Sequence, residues 1–243
     1  MECSQFILEF PLEPDYSFDS FIATGKNRLI INEIINLEDH HDHSLTLTGL
    51  AGSGKTHLLQ AATTYFQTKN KTKQNTAIYL DIAALVNQAT SYKEGDLAQL
   101  LTRYGVYSIV AIDELEKLEN QPQLQEAVLF LFNQVIAKGG KLLFASRISP
   151  NNMDWLRKDL SSRLLWGEVF NITPPSDDEL GEILTKMAHD RQVKLGPELI
   201  KFLQLRLPRR VPDYGDAMEK LDRAGKGLKH KITVPLAKKV LGF

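Results

Sequence analysis

The chain has 243 residues, 43% of them hydrophobic, and a net charge of -1 at pH 7. That length accommodates one well-cored domain and a smaller appended one, with no Pro-, Gly- or Ser-rich linker between them. A single cysteine, Cys3, excludes an internal disulfide. No apolar run approaches the ~20 residues of a bilayer span, and the N-terminus carries no basic segment leading into an apolar core; the expectation is a soluble cytoplasmic protein with no membrane partner.

In chain order, Ser44-Leu45-Thr46-Leu47-Thr48 has the short, β-rich apolar character of a buried strand, and residues 56–67 read as a helix. Between them Gly49-Leu50-Ala51-Gly52-Ser53-Gly54-Lys55-Thr56 fits the phosphate-binding pattern G-x-x-x-x-G-K-[ST]. The glycines let backbone N–H groups turn toward an anion and the helix N-terminus adds partial positive charge. Lys55 is placed to reach the β/γ-phosphates and the Thr56 hydroxyl to ligate magnesium, so Gly49, Gly52, Ser53, Gly54, Lys55, Thr56 and His57 are taken together as nucleotide-contacting residues.

Further strands are expected at residues 76–80, 107–112, 141–145 and 168–172. A strong helix at 123–137, stopped by Gly139-Gly140, lies between the third and fourth. Ile109-Val110-Ala111-Ile112-Asp113-Glu114 has the form of a Walker B strand, apolar residues ending in an acid at the carboxyl edge of the sheet. Asp113 would hold magnesium through water, and Glu114 would orient or deprotonate an attacking water. At the end of the fourth strand Ser146 and Arg147 resemble in position the polar residue with which AAA+ proteins sense the γ-phosphate; that resemblance implies the role for either, and the alternative is that Ser146 simply forms the turn.

Thr173-Pro174-Pro175 breaks the alternation, and Ser176 with Glu179 begins a capping box. Helices are expected at 177–189, 197–207, 213–224 and 234–240. The fold class that follows is α/β: a P-loop core with a five-stranded parallel sheet, then a small all-helical lid. The boundaries are a tail at 1–15, a nucleotide-binding domain at 16–173 and a lid at 174–243. From Lys201 onward there are eleven Lys/Arg against four Asp/Glu, a local +7 that leaves -8 for the rest. The lid therefore has either ordinary solvated lysines or a face suited to nonspecific DNA contact. The run Glu38, Asp39, His40, His41, Asp42, His43 lacks helical ligand spacing and reads as a solvated loop rather than a metal site.

Several segments carry a resemblance to a known family. Asp159-Leu160-Ser161-Ser162-Arg163-Leu164-Leu165-Trp166-Gly167 resembles the box ending S-R-[FL]-x-W-G of the DnaA/Hda branch of the AAA+ superfamily. Tyr16-Ser17-Phe18-Asp19-Ser20-Phe21 resembles the F-x-x-F segment at its start, Gly54 to Ala61 its helix after the P-loop, and Leu221-Asp222-Arg223-Ala224 with Lys231 to Leu236 the end of the Hda-type lid. The resemblance implies ADP or ATP with Mg2+ as cofactors, and Arg163 as an arginine finger acting in trans on a neighbouring nucleotide site. The partners it implies are DnaA and the sliding clamp (the β subunit of DNA polymerase III), together with homo-oligomer formation.

Gln5-Phe6-Ile7-Leu8-Glu9-Phe10 resembles the family's clamp peptide, with Gln5, Phe6, Leu8 and Phe10 as the contacts; Phe stands where Leu is usual at the second and last positions. The expected activity is stimulation of hydrolysis of DnaA-bound ATP, hence negative control of replication initiation. The alternative is a self-sufficient ATPase of helicase-loader or transposition-helper type, favoured by Glu114 where Hda proteins commonly have Asn. The initiator's helix-turn-helix DNA reader is expected to be missing after Phe243, and the 48 residues before Gly49 leave no room for a helicase-loader N-terminal domain. A family arginine at the lid's third helix aligns with Pro212, which cannot contact a phosphate; Arg209 or Arg210 would have to replace it.

Overall fold

In the computed structural model, residues 16–21, 25–39, 41–70, 74–89, 100–208, 210–228 and 232–243 are described. They form two units. One holds the sheet and runs through Asn171; the other comprises the helical region from Ile172, with Leu50–Gly54 of the first strand–helix loop grouped with it.

The sheet is parallel, with order β2-β3-β4-β1-β5. Its strands are β1 (Ser44–Thr48), β2 (Ala77–Asp81), β3 (Ile109–Asp113), β4 (Lys141–Ser146) and β5 (Glu168–Asn171). Every residue of β1 and β3 is buried; β3 is accordingly apolar up to Asp113, whereas β1 alternates Leu45 and Leu47 with the buried hydroxyl residues Ser44, Thr46 and Thr48. β5 occupies an edge, and three of its four residues are exposed. The helices of this unit are α1 (Gly25–Ile35), α2 (Lys55–Lys69), α3 (Ile82–Ala89), α4 (Pro122–Ala137) and α5 (Lys158–Leu164).

α1, α3 and α5 were not foreseen as elements. α1 buries Ile30, Ile31 and Ile34. α3 starts because Asp81, the last residue of β2, accepts from the amides of Ala83 at 2.8 Å and Ala84 at 3.3 Å through Oδ1, satisfying N–H groups that the helix leaves open. The expected helix at 123–137 begins one residue earlier, on Pro122, whose missing N–H is harmless in a first turn.

The register fixes where chemistry can occur. Thr48 at the end of β1 pairs with Ser146 at the end of β4, and Asp113 at the end of β3 pairs with Asp81. The loops after β1, β3 and β4 thus leave the same carboxyl edge, beside the β1/β4 junction where strand order reverses, the usual ligand position in such sheets.

The second unit contains α6 (Asp177–Asp190), α7 (Pro197–Arg206), α8 (Val211–Leu228) and α9 (Val234–Leu241). The capping box is present: the Ser176 amide donates to Glu179 Oε2 at 2.6 Å and the Glu179 amide to Ser176 Oγ at 3.4 Å. Leu180, Leu184, Leu203, Tyr214, Met218 and Leu221 form its fully buried centre. Among the described residues no helix is long and apolar enough to cross a membrane.

One close approach ties the start of β5 to β1. A β-carbon on Gly167 would fall 1.6 Å from the Ser44 carbonyl oxygen, so only glycine lets the two backbones meet here. Gly167→Ala is expected to destabilise the protein by about 3 kcal/mol or more, read as a lowered urea midpoint.

Candidate nucleotide site

The loop after β1 is built on three glycines with positive φ: Gly49 at 149°, Gly52 at 78° and Gly54 at 100°. The Ser53 amide closes a turn on the Leu50 carbonyl at 3.2 Å. Lys55 opens α2 as a buried residue, and its Nζ donates to the Gly49 carbonyl at 2.7 Å, bridging the two ends of the loop. Burial lowers the Lys55 pKa, while Asp113, Glu116 and Glu114 act in the opposite direction. This chain therefore sets an ammonium, a helix N-terminus and a glycine-shaped turn around one space, and that set fits a polyphosphate.

Asp113 is 2% exposed. The Tyr79 hydroxyl donates to its Oδ2 at 3.0 Å, the Glu114 amide donates to its Oδ1 at 2.7 Å, and its carboxylate is also hydrogen-bonded to the Thr56 side chain. Desolvation nevertheless raises its pKa, and the same buried carboxylate, after desolvation itself, pushes the Tyr79 hydroxyl upward. The structure thus brings together Lys55 and Thr56 of the P-loop with Asp113 from the end of β3, two separate stretches of sequence.

Glu114 is half-buried, and its pKa is raised by desolvation first and then by Asp81, Asp113 and Glu116. Its backbone is left-handed, φ 57° and ψ 47°, a conformation that costs a non-glycine residue about 1 kcal/mol. Asn and Asp tolerate it better than Glu because their short side chains bond locally.

Other expected contacts are engaged elsewhere. The His57 ring turns to the segment before α1, with Nε2 2.9 Å from the Ser17 carbonyl and 3.2 Å from Ser20 Oγ, and it packs on Tyr16 and Phe21 at centroid distances of 4.8 and 5.2 Å. Ser146 is fully buried and donates its hydroxyl to the Ile148 carbonyl at 2.5 Å, as a turn former does. Arg147 pairs with Glu116, Nε to Oε1 at 2.8 Å, while its amide donates to Oε2 at 3.1 Å. Tyr79, Asp81 and Glu116 were missed in the sequence. Only Asp81 had a readable signal, as an acid at a strand–helix boundary.

Arg163, in the last turn of α5, holds its guanidinium over the Trp166 ring, 3.7 Å from the centroid. Asp159, which has helical spacing to Arg163, is instead gripped by Arg157 at 2.8 and 3.2 Å. Pro212 sits in the first turn of α8. Arg210 makes a two-pronged bond to Asp213 at 2.7 and 3.0 Å, and its β-carbon would be 3.0 Å from one placed on Gly52. Gln5, Phe6, Leu8, Phe10 and Arg209 lie outside the described residues, as do His40 and Lys231. Glu38 accepts from Lys69 at 2.8 Å and Asn70 at 3.2 Å, and no metal-type cluster occurs among the described residues.

Fold and site together define an AAA+ P-loop domain carrying a helical lid. The bacterial DnaA ATPase domain family matches residues 12–171, and the Hda lid domain matches 177–241. The chain belongs to the DnaA/Hda branch of the AAA+ superfamily. An uncharacterized Haemophilus influenzae protein is 30% identical over 222 residues, covering 90% of this chain and 91% of that one. Domain III of Thermotoga maritima DnaA superposes with TM-score 0.80 at 22% identity, over 96% of this chain and 98% of that one. AMPPCP-bound DnaA from Aquifex aeolicus gives 0.71 at 21% identity, over 90% and 69%. The chain spans about half the length of the curated DnaA initiators it matches.

Because the folded pKa of Asp113 is raised, its protonated form favours the fold; that contribution is present at acid pH and lost as pH rises through the folded value. Asp113→Asn is therefore expected to be more stable than the parent without nucleotide, with the gap in urea midpoint widening as pH rises above the carboxylate range. Its affinity for magnesium–nucleotide should fall.

Proposed function

We propose that the chain is a nucleotide-dependent adaptor of replication control. It binds ADP or ATP with Mg2+ at its P-loop and presents Arg163 to ATP held by DnaA, promoting hydrolysis there. The observation that carries this reading is Arg163, whose guanidinium has no carboxylate partner among the described residues and is held at the protein surface by the half-exposed Trp166. A guanidinium with free donors is what a developing phosphoryl charge requires, and such a finger contributes on the order of a thousandfold or more.

Around the chain's own nucleotide, Lys55 would neutralise the β/γ-phosphates, while Thr56 and Asp113 would share the magnesium, which withdraws charge from those oxygens. Residues 5–10 would anchor the chain to the sliding clamp, with Gln5 hydrogen-bonding and Phe6, Leu8 and Phe10 as apolar anchors. Self-association and nonspecific DNA contact through the basic lid belong to the same reading, in which the protein works in the cytoplasm and limits initiation.

The test is turnover of DnaA-bound ATP in the presence of clamp loaded on DNA. Arg163→Ala is expected to abolish stimulation, and Gln5→Ala to remove its dependence on the clamp. Unchanged stimulation by both variants overturns the reading.

The second reading is an ATPase acting alone, which one observation favours: Glu114 is a half-buried carboxyl with a raised pKa beside Asp113, as suits a base. It predicts magnesium-dependent hydrolysis by the purified chain, lost in Glu114→Gln. Nucleotide binding without turnover removes it.

A further inference from the structure

Trp166 is 51% exposed although tryptophan is among the costliest side chains to leave in water. Three contacts hold it there. Its edge meets Phe132 at 6.0 Å and 74°, and the fully buried Phe132 lies parallel to the fully buried Phe144 of β4, at 6.2 Å and 11°. Its amide donates to the Arg163 carbonyl at 3.1 Å, and the following residue, Gly167, is pressed against β1. A line of aromatic rings therefore leads from the sheet to an indole face at the surface, and the Arg163 guanidinium lies on that face.

The two ways of restraining an arginine have opposite consequences. A carboxylate partner consumes the in-plane N–H donors, whereas a ring beneath the guanidinium restricts its rotamers and leaves those donors pointing outward. Asp159 is four residues before Arg163 on the same helix, a spacing at which acid and base ordinarily pair. Here Arg157 occupies both of its oxygens, and Oδ1 also accepts from the Leu160 amide at 2.8 Å. The Asp159 carboxyl is held below its usual range, by the Arg157 hydrogen bond first.

We propose that Trp166 is a positioning residue that holds the Arg163 guanidinium by its face so that all its donors remain available to a phosphate of a second nucleotide site, while Arg157 keeps Asp159 from capturing it. The inference rests on Arg163 acting in trans, and it adds two residues to that role.

Three measurements on the full chain test it. With Trp155→Phe in place, emission comes from Trp166 alone; adding Arg163→Ala is expected to shift that emission in the isolated protein, and an unchanged spectrum overturns the stack. In the assay of DnaA-bound ATP, Trp166→Leu should lower the maximal rate about fivefold with an unchanged half-saturating concentration, and Trp166→Phe should restore most of it. Arg157→Ala should also lower the maximal rate, and Asp159→Ala in that background should recover it. If Arg163→Ala abolishes stimulation while Trp166→Leu and Arg157→Ala leave it intact, the positioning role is wrong and the finger stands. If Arg163→Ala itself is without effect, both fall.

Discussion

Lys55 and Asp113 carry opposite charges taken out of water at the carboxyl edge of the sheet, and their burial organises the ends of β1 and β3. Burial disfavours each charge, lowering one pKa and raising the other, and only fixed neighbours offset this. For Lys55 the acids Asp113, Glu116 and Glu114 act in this way, and four hydrogen-bonding groups stand beside the two charges: the Gly49 carbonyl, the Tyr79 hydroxyl, the Glu114 amide and the Thr56 side chain. Three of the four are contributed by residues of the P-loop or Walker B segment, so shape and electrostatics of the site have one origin. A polyphosphate and its cation would supply the charge compensation that these dipoles only approximate.

A second organising feature lies on the α5 side of the same unit, where the problem is not burial but freedom. Long cationic side chains at a surface sample many rotamers, and fixing one normally uses up its hydrogen bonds. The S-R-L-L-W-G box resolves this locally: the helix ends at Leu164, the chain turns on Trp166, and Gly167 lets it enter β5 against Ser44. The Thr46 hydroxyl, donating to the Leu164 carbonyl at 3.0 Å, fastens that turn to β1. The arginine, the ring under it and the glycine behind it are thus a single mechanical unit read from contiguous sequence.

Much of this is legible in the sequence alone. The five strands, the helix before β4 and the capped start of α6 follow from apolar runs and stop signals, because each is decided by local pattern and burial. α1 escaped because Leu29, Ile30, Ile31, Ile34 and Ile35 crowd too closely to show a clear helical period, and only the fold selects which face is buried. Asp159 illustrates the limit of spacing rules: four residues from Arg163, it pairs with Arg157 two residues away, since a first-turn acid is also drawn to a backbone amide. His57, read with the phosphate ligands from its place in the motif, has a ring whose direction no motif encodes. The left-handed Glu114 was likewise invisible, because it answers to the turn after β3 rather than to its own propensity.

His57 has a mechanical consequence. Its ring fastens Tyr16–Phe21 to the first turn of α2, one residue beyond Thr56. Tension applied to the polypeptide ahead of Tyr16 would be transmitted through that ring to the start of α2 before it reached any strand. The polypeptide leading into the domain is thus moored to the helix that begins at the phosphate loop, so the direction in which it is pulled and the posture of that loop are not mechanically independent.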